Sequence, residues 1–299
     1  MSAPAQAAGL GLDASLLRSL DRLALRIRTP GPGGGRPGRR AARGTGHSVE
    51  FADYRTYSPG DDVRRLDWNV FARSDRLLLR LSVAEQEACI TVLVDCSASM
   101  SFGDPPLKER TTRGLAMALA WIALRSDDRA RVGGFGTDMT VLSPAVRGRG
   151  GVERLFGAVA DLPRVSQGDP AAILSVAPQL HPGVTVVISD FLVEASWHQA
   201  LAALRSARQE VVLLQVLAPD ELEPPLRGDY LLVDVEDGRE VEMTITTDAV
   251  AAYQQALALH TEQLAGTAGR HKAALVRVIA GTPLRTLVLG ELRAAGIVR

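Results

Sequence analysis

Ile90-Thr-Val-Leu-Val-Asp-Cys-Ser-Ala-Ser-Met100 is a continuous apolar run that ends in one carboxylate and two hydroxyls spaced two residues apart. A strand buried on both faces of a parallel sheet reads as such a run, and open α/β sheets place ligands at the carboxyl ends of these strands. Asp95, Ser97 and Ser99 are therefore expected in one oxygen-rich pocket. Oxygen donors of this kind suit a hard cation, Mg²⁺ or Mn²⁺, which takes few protein ligands and leaves a position for a partner's carboxylate. The competing reading is a strand followed by a polar turn whose serines cap the next helix.

Downstream, helical and strand patterns alternate as they do in a doubly wound sheet. Leu115, Leu119 and Ile122 share one helix face, and Arg131 to Phe135, Val184 to Ser189 and Val211 to Leu217 read as strands. Asp190 closes the second of these runs, so a second carboxylate stands at a buried strand end, where the switch point of the sheet can bring it beside Asp95. A hairpin is expected from Leu231 to Val235 and Val241 to Ile245, turning at Asp237-Gly238. Then come a long helix carrying Val250, Tyr253, Leu257, His260 and Leu264 on one face, a strand from Ala274 to Ile279, and a helix from Pro283. His260 reads as a histidine at the core edge, since no second His or Cys stands one turn away. Upstream, Asp13 is placed to cap a helix whose Leu16, Leu20, Leu23 and Ile27 share a face.

The chain has 299 residues, 46% of them hydrophobic, which is enough for a large core in one large or two modest domains. Thirty-four basic and 34 acidic residues cancel, so the global excess of a nucleic-acid binder is missing. Cys89 and Cys96 are too few for a disulfide framework and wrongly spaced for zinc. With no secretory pattern at the amino terminus and no apolar stretch near the roughly 20 residues of a membrane span, a cytoplasmic protein is expected. Gly33-Gly34-Gly35-Arg36-Pro37-Gly38 fits a dinucleotide loop formally, but no strand precedes it and Pro37 sits where the helix should start. The six arginines from Arg26 to Arg43 read as a solvated loop.

Asp95, Ser97, Ser99 and Asp190 make the chain resemble von Willebrand factor A-like proteins, whose metal-ion-dependent adhesion site joins an Asp-x-Ser-x-Ser element to a distant Thr and a distant Asp. More specifically, Glu50-Phe-Ala-Asp-Tyr-Arg55, Tyr57-Ser-Pro-Gly-Asp-Asp-Val-Arg-Arg-Leu-Asp-Trp68, Ala72-Arg73 and the Asp95 strand are similar to the bacterial domain-of-unknown-function family fifty-eight. That resemblance covers the chain from about Gly44 onward. It implies an α/β, von Willebrand factor A-like doubly wound sheet with helices on both faces and an accessory region. It also implies a non-enzymatic adaptor or assembly factor working with a MoxR-type AAA+ ATPase. One departure stands out: where the adhesion site has its Thr, this chain reads Ser166-Gln-Gly-Asp-Pro170, so Asp169 takes that place, and Thr137 lies on another connection. Three carboxylates around one site would repel each other without a cation; the alternative is a loop that has lost metal affinity.

Four regions are expected: 1–46, a helix and a flexible Gly/Pro/Arg-rich segment; 47–88, the accessory signature; 89–225, the core; and 226–299, elements completing or extending it. Asp61, Asp62, Arg64, Arg65, Asp67 and Arg73 are expected to neutralise one another in a network packed around Trp68, a docking surface being the competing reading. No phosphate-binding loop, zinc helix or nucleophile elbow is present. A metal-dependent hydrolase or phosphotransferase using Asp95 and Asp190 and a structural domain with a degenerate metal site remain as alternatives.

Overall fold

The computed structural model describes residues 9–26, 51–56, 67–74, 76–82, 89–101, 103, 105–193 and 197–299. The chain divides into two compact units, residues 1–32 with 88–299, and residues 33–87. The larger unit opens with helix α1 (Ala14–Leu20), capped by Asp13, whose carboxylate accepts from Leu16 N at 2.6 Å. The helix stops at Leu20, short of the span expected. Leu23 and Leu25 nonetheless enter the core, because the chain past the helix pairs with the carboxyl-terminal residues through Leu25 and Val298.

The smaller unit holds β1 (Phe51–Thr56), α2 (Trp68–Ser74) and β2 (Leu78–Ser82), with β1 and β2 antiparallel. Asp67 is buried and caps α2, accepting from Asn69 N at 3.0 Å. The expectation that Trp68 is packed inside this segment is not met. Trp68 is 61% exposed and meets Phe71 edge-on, and α2 buries none of its residues. The buried anchor of this segment is Asp67. Tyr57 to Leu66, with Asp61, Asp62, Arg64 and Arg65 of the expected network, and the Gly-rich 29–46 lie outside the described residues.

The larger unit continues with β3 (Cys89–Asp95), α3 (Ala98–Ser101), α4 (Leu107–Arg125), β4 (Arg129–Phe135), β5 (Met139–Leu142) and β6 (Val146–Arg147). Next come α5 (Val152–Ala160), α6 (Ala172–Val176), β7 (Gly183–Ser189), α7 (Trp197–Ser206), β8 (Gln209–Leu217) and α8 (Pro219–Leu222). Last are β9 (Gly228–Val233), β10 (Glu240–Ile245), α9 (Thr247–Arg270), β11 (Ala274–Ile279) and, where a helix from Pro283 was expected, α10 (Leu284–Thr286) running through a π-helical stretch (Leu287–Glu291) into α11 (Leu292–Ala294).

Seven strands form one sheet in the order β11-β8-β7-β3-β4-β5, with β6 also on β4. The pairs from β11 to β4 are parallel and β5 is an antiparallel edge. Every residue of β3 is buried, as a central strand covered on both faces requires. On one face pack α4 and α5 residues such as Leu115, Leu119 and Phe156 together with Leu16, Leu20, Leu287 and Val298. On the other face lie Ile173, Trp197, Leu201, Leu204 and Leu264 from α6, α7 and α9. Gly114 makes the first layer possible, since a Cβ there would stand 2.7 Å from Leu284. The expected hairpin is β9–β10, turning through Gly238 at φ +72°. No helix among the described residues is long and apolar enough to cross a membrane.

The indole that matters to this core is Trp197, which is buried and packs against Phe191 at 4.5 Å between ring centroids. Trp197→Ala should cost about 3–5 kcal/mol in urea unfolding, whereas exposed Trp68→Ala should change stability by no more than about 0.5 kcal/mol.

Candidate functional site

The parallel register brings the carboxyl ends of β3 and β7 side by side, with Val94 opposite Ile188. Asp95 and Asp190 then leave their strands as neighbours, both buried. Ser189 joins them: its hydroxyl donates to Asp95 Oδ2 at 2.6 Å and accepts from Phe191 N at 2.9 Å. Ser97 N donates to Asp95 Oδ1 at 3.0 Å, which folds the Asp-x-Ser-x-Ser loop back over the strand end. The Ser97 and Ser99 hydroxyls stand 3.0 Å apart.

The turn after β7 is tightly held. Gln215, from β8, donates to the Asp190 carbonyl at 3.2 Å, and Leu192 N donates to Asp190 Oδ1 at 3.1 Å. Phe191 is fully buried with φ +59°, a left-handed conformation costly for a bulky residue and persisting only where the surroundings enforce it. His260 Nε2 donates to the Phe191 carbonyl at 2.6 Å. This α9 histidine, expected only at the core edge, holds a site turn in place.

Asp190 is not free for a ligand. Lys108, buried in the first turn of α4, places its ammonium 2.9 Å from Asp190 Oδ2 and 2.6 Å from Glu221 Oε1 of α8. Burial opposes the charge on Lys108, but Asp190 and Glu221 outweigh it and hold its pKa above the usual lysine value. Glu221 is fixed in turn by accepting from Ala218 N at 2.7 Å, while Tyr253 of α9 donates to its carbonyl at 2.9 Å. Among the described residues Asp95 has no such ammonium. Burial first, and then the Asp190 charge, push its pKa up, against the hydrogen bonds from Ser189 and Ser97.

The 165–169 loop reaches the site, but not as expected. Val165 N donates to the Cys96 carbonyl and Asp169 N to the Gly136 carbonyl, both at 2.9 Å. The Asp169 carboxylate caps the next turn, accepting from Ala171 N at 2.7 Å. Gly168 makes the close approach: a Cβ there would sit 3.0 Å from Asp95 Oδ1 and 3.2 Å from Ser97 Cβ. Thr137 is exposed on the adjoining connection. Among the described residues, no three acidic, His or Cys side chains form a metal-holding group. The expected trio of Asp95, Asp169 and Asp190 is therefore not assembled around one point, because Lys108 engages Asp190 and a backbone amide engages Asp169.

What remains is a donor set of hydroxyls and one carboxylate. The Ser97 and Ser99 hydroxyls hydrogen-bond to each other at 3.0 Å, and replacing that bond by a shared Mg²⁺ at 2.0–2.1 Å would leave the oxygens about 2.9 Å apart. Ser97, Ser99 and Asp95 are oxygen donors of the kind a hard cation takes.

Lys108, Ser189, Gly168 and Glu221 were not singled out from the sequence. Lys108 carried the one legible signal, being one of only two lysines in an arginine-rich chain and adjoining an apolar helix. The others are brought in by tertiary packing.

The sequence pattern of the family described as "Protein of unknown function DUF58" matches residues 53–263. The uncharacterized protein Rv1480 of Mycobacterium tuberculosis (strain ATCC 25618 / H37Rv) is 34% identical over 230 residues, 74% of this chain and 72% of its own. The uncharacterized protein MAV169 of Mycobacterium avium is 35% identical over 129 residues, 42% of this chain and 76% of its own. Among solved structures, the conserved hypothetical protein BatB from Bacteroides thetaiotaomicron is similar over 70% of this chain and 98% of that one, at 17% identity and a TM-score of 0.44. The VWA domain of SpRpn10 is similar over 67% and 93%, at 13% identity and a TM-score of 0.37.

Breaking a buried ion pair by removing one partner strands the other charge. Lys108→Met should cost about 3–5 kcal/mol in urea unfolding. For the same reason Asp190→Ala, which would leave the buried Lys108 ammonium with Glu221 alone, should destabilise the fold measurably.

Proposed function

Because this chain belongs to the DUF58 family, with a von Willebrand factor A-like sheet, we propose that it is a non-enzymatic protein-interaction module whose binding face is the carboxyl edge of that sheet. The observation that carries the reading is the pair of hydroxyls 3.0 Å apart beside the buried Asp95 carboxylate. Ser97, Ser99 and Asp95 would hold Mg²⁺ or Mn²⁺. Bound there, the ion would offer a position to the acidic side chain of another protein, since carboxylate oxygen suits a hard cation. A MoxR-type AAA+ ATPase is the partner that the family resemblance suggests, with the chain acting as adaptor or assembly factor.

The face is poorly equipped for the hydrolase alternative. Ser97 Oγ meets Ser99 Oγ, while His260 is engaged by Phe191 and His198 by His271 at 2.8 Å. Among the described residues, no histidine is placed to take a proton from Ser97, as nucleophilic catalysis by serine requires.

A second reading, in which the module binds its partner without metal, is favoured by one observation. Lys108 already supplies a positive charge to Asp190, so part of the work of a cation is done by the chain itself.

An ion that binds only the folded state stabilises it by RT ln(1 + [L]/Kd), about 2.7 kcal/mol when its concentration is 100 times Kd. Millimolar Mg²⁺ should raise the melting temperature of the wild type and leave that of Ser97→Ala unchanged. Affinity for the cognate MoxR-type ATPase, measured with EDTA and with Mg²⁺, separates the two readings: a loss with EDTA supports the metal-bridged form, and equal affinities support the metal-free one.

A further inference from the structure

The β9–β10 hairpin is a two-sided ribbon, because side chains directly opposite one another on paired strands share a face. Tyr230 stands opposite Met243 and Leu232 opposite Val241, so one side is apolar, and Tyr230, Val241 and Met243 on it are exposed. On the other side Leu231 stands opposite Glu242, Val233 opposite Glu240 and Asp229 opposite Thr244, and all six side chains are open to solvent. Residues 228–245 hold six carboxylates against the single guanidinium of Arg239, which is engaged by Asp237 at 2.9 Å. Among the described residues no cationic side chain pairs with Glu240 or Glu242, and neither outer edge of the ribbon meets another strand.

We infer that the outer edge of β10 is a docking site for an extended segment of another protein in which basic and aliphatic residues alternate. Added there as a third strand, such a segment turns successive side chains to opposite sides. Its aliphatic residues then extend the side of Val241 and Met243, and its basic residues stand beside Glu240 and Glu242. Three observations select this occupant. Two strands alone are marginal in water, and a third strand that enlarges the apolar side is what the ribbon lacks. The β10 edge presents unpaired backbone groups, the template on which extended peptides add. The acidic side carries charge without a counter-charge among the described residues, which favours a cationic segment. The same charge opposes nucleic acid, an anionic membrane and the hairpin of a second copy, since like charges directly opposite are destabilising. The site uses neither the strand-end hydroxyls nor an ion, so the inference stands apart from the cation reading.

The probe is a labelled octapeptide of alternating lysine and valine, followed by fluorescence anisotropy as the full chain is added in EDTA. The chain is compared as wild type, as the double variant Glu240→Lys/Glu242→Lys, and as the double variant Val241→Ser/Met243→Ser. All four positions are exposed, so both variants should keep the wild-type melting temperature. The wild type should bind the peptide, and less tightly as salt rises. Each variant should bind it at least about tenfold more weakly, because opposite-charge and apolar neighbours stabilise a strand pair and like charges oppose it. The charge-reversed variant should instead bind a peptide of alternating glutamate and valine. A lysine–valine peptide N-methylated at every residue should not bind the wild type, having no backbone N–H to give. No binding by the wild type, equal affinity across the three chains, or undiminished binding of the methylated peptide would overturn the inference. So would a wild-type dimer in sedimentation that Val241→Ser/Met243→Ser abolishes, which would assign the edge to a second copy.

Discussion

Two carboxylates buried side by side at the ends of adjacent parallel strands constrain everything around them. Asp95 and Asp190 are buried, and a buried charge costs several kcal/mol unless it is paired and hydrogen-bonded. The chain answers the two differently. Asp190 has a buried ammonium at 2.9 Å, a backbone amide and, at its own carbonyl, Gln215. Among the described residues the donors to Asp95 are neutral, Ser189 Oγ and Ser97 N foremost. The consequence is a site with one acid paired to an ammonium and one held by neutral donors, and the second lies beside the hydrogen-bonded Ser97 and Ser99 hydroxyls. The placement of Lys108 on α4, Glu221 on α8 and His260 on α9 follows from the same constraint, since each secures a turn or a charge at this edge.

The central sheet was legible because buried parallel strands write themselves as unbroken apolar runs, and β3, β7 and β8 are such runs ending where polar residues begin. The β9–β10 hairpin was legible from Asp237-Gly238. The β1–β2 pair was not, because Leu79-Arg-Leu-Ser82 alternates over only four residues and its partner lies more than 20 residues upstream. At the site, Asp95, Ser97, Ser99 and Asp190 were found as a local pattern, and their neighbourhood follows from the sheet order. What the pattern could not show is who else arrives. A loop position at the expected Thr says nothing of side-chain direction, so Asp169 read as a ligand although its carboxylate turns to Ala171 N. Trp68 read as a core residue by its size, but a seven-residue helix with no buried face leaves it in solvent.

The central claim, that the strand edge is an oxygen site for a divalent cation, is tested most directly by diffraction from crystals equilibrated with Mn²⁺, using the anomalous signal of the ion. The account predicts an anomalous peak within coordination distance of both Ser97 Oγ and Ser99 Oγ. Peaks only at other carboxylates, or none with Mn²⁺ in excess, would contradict it.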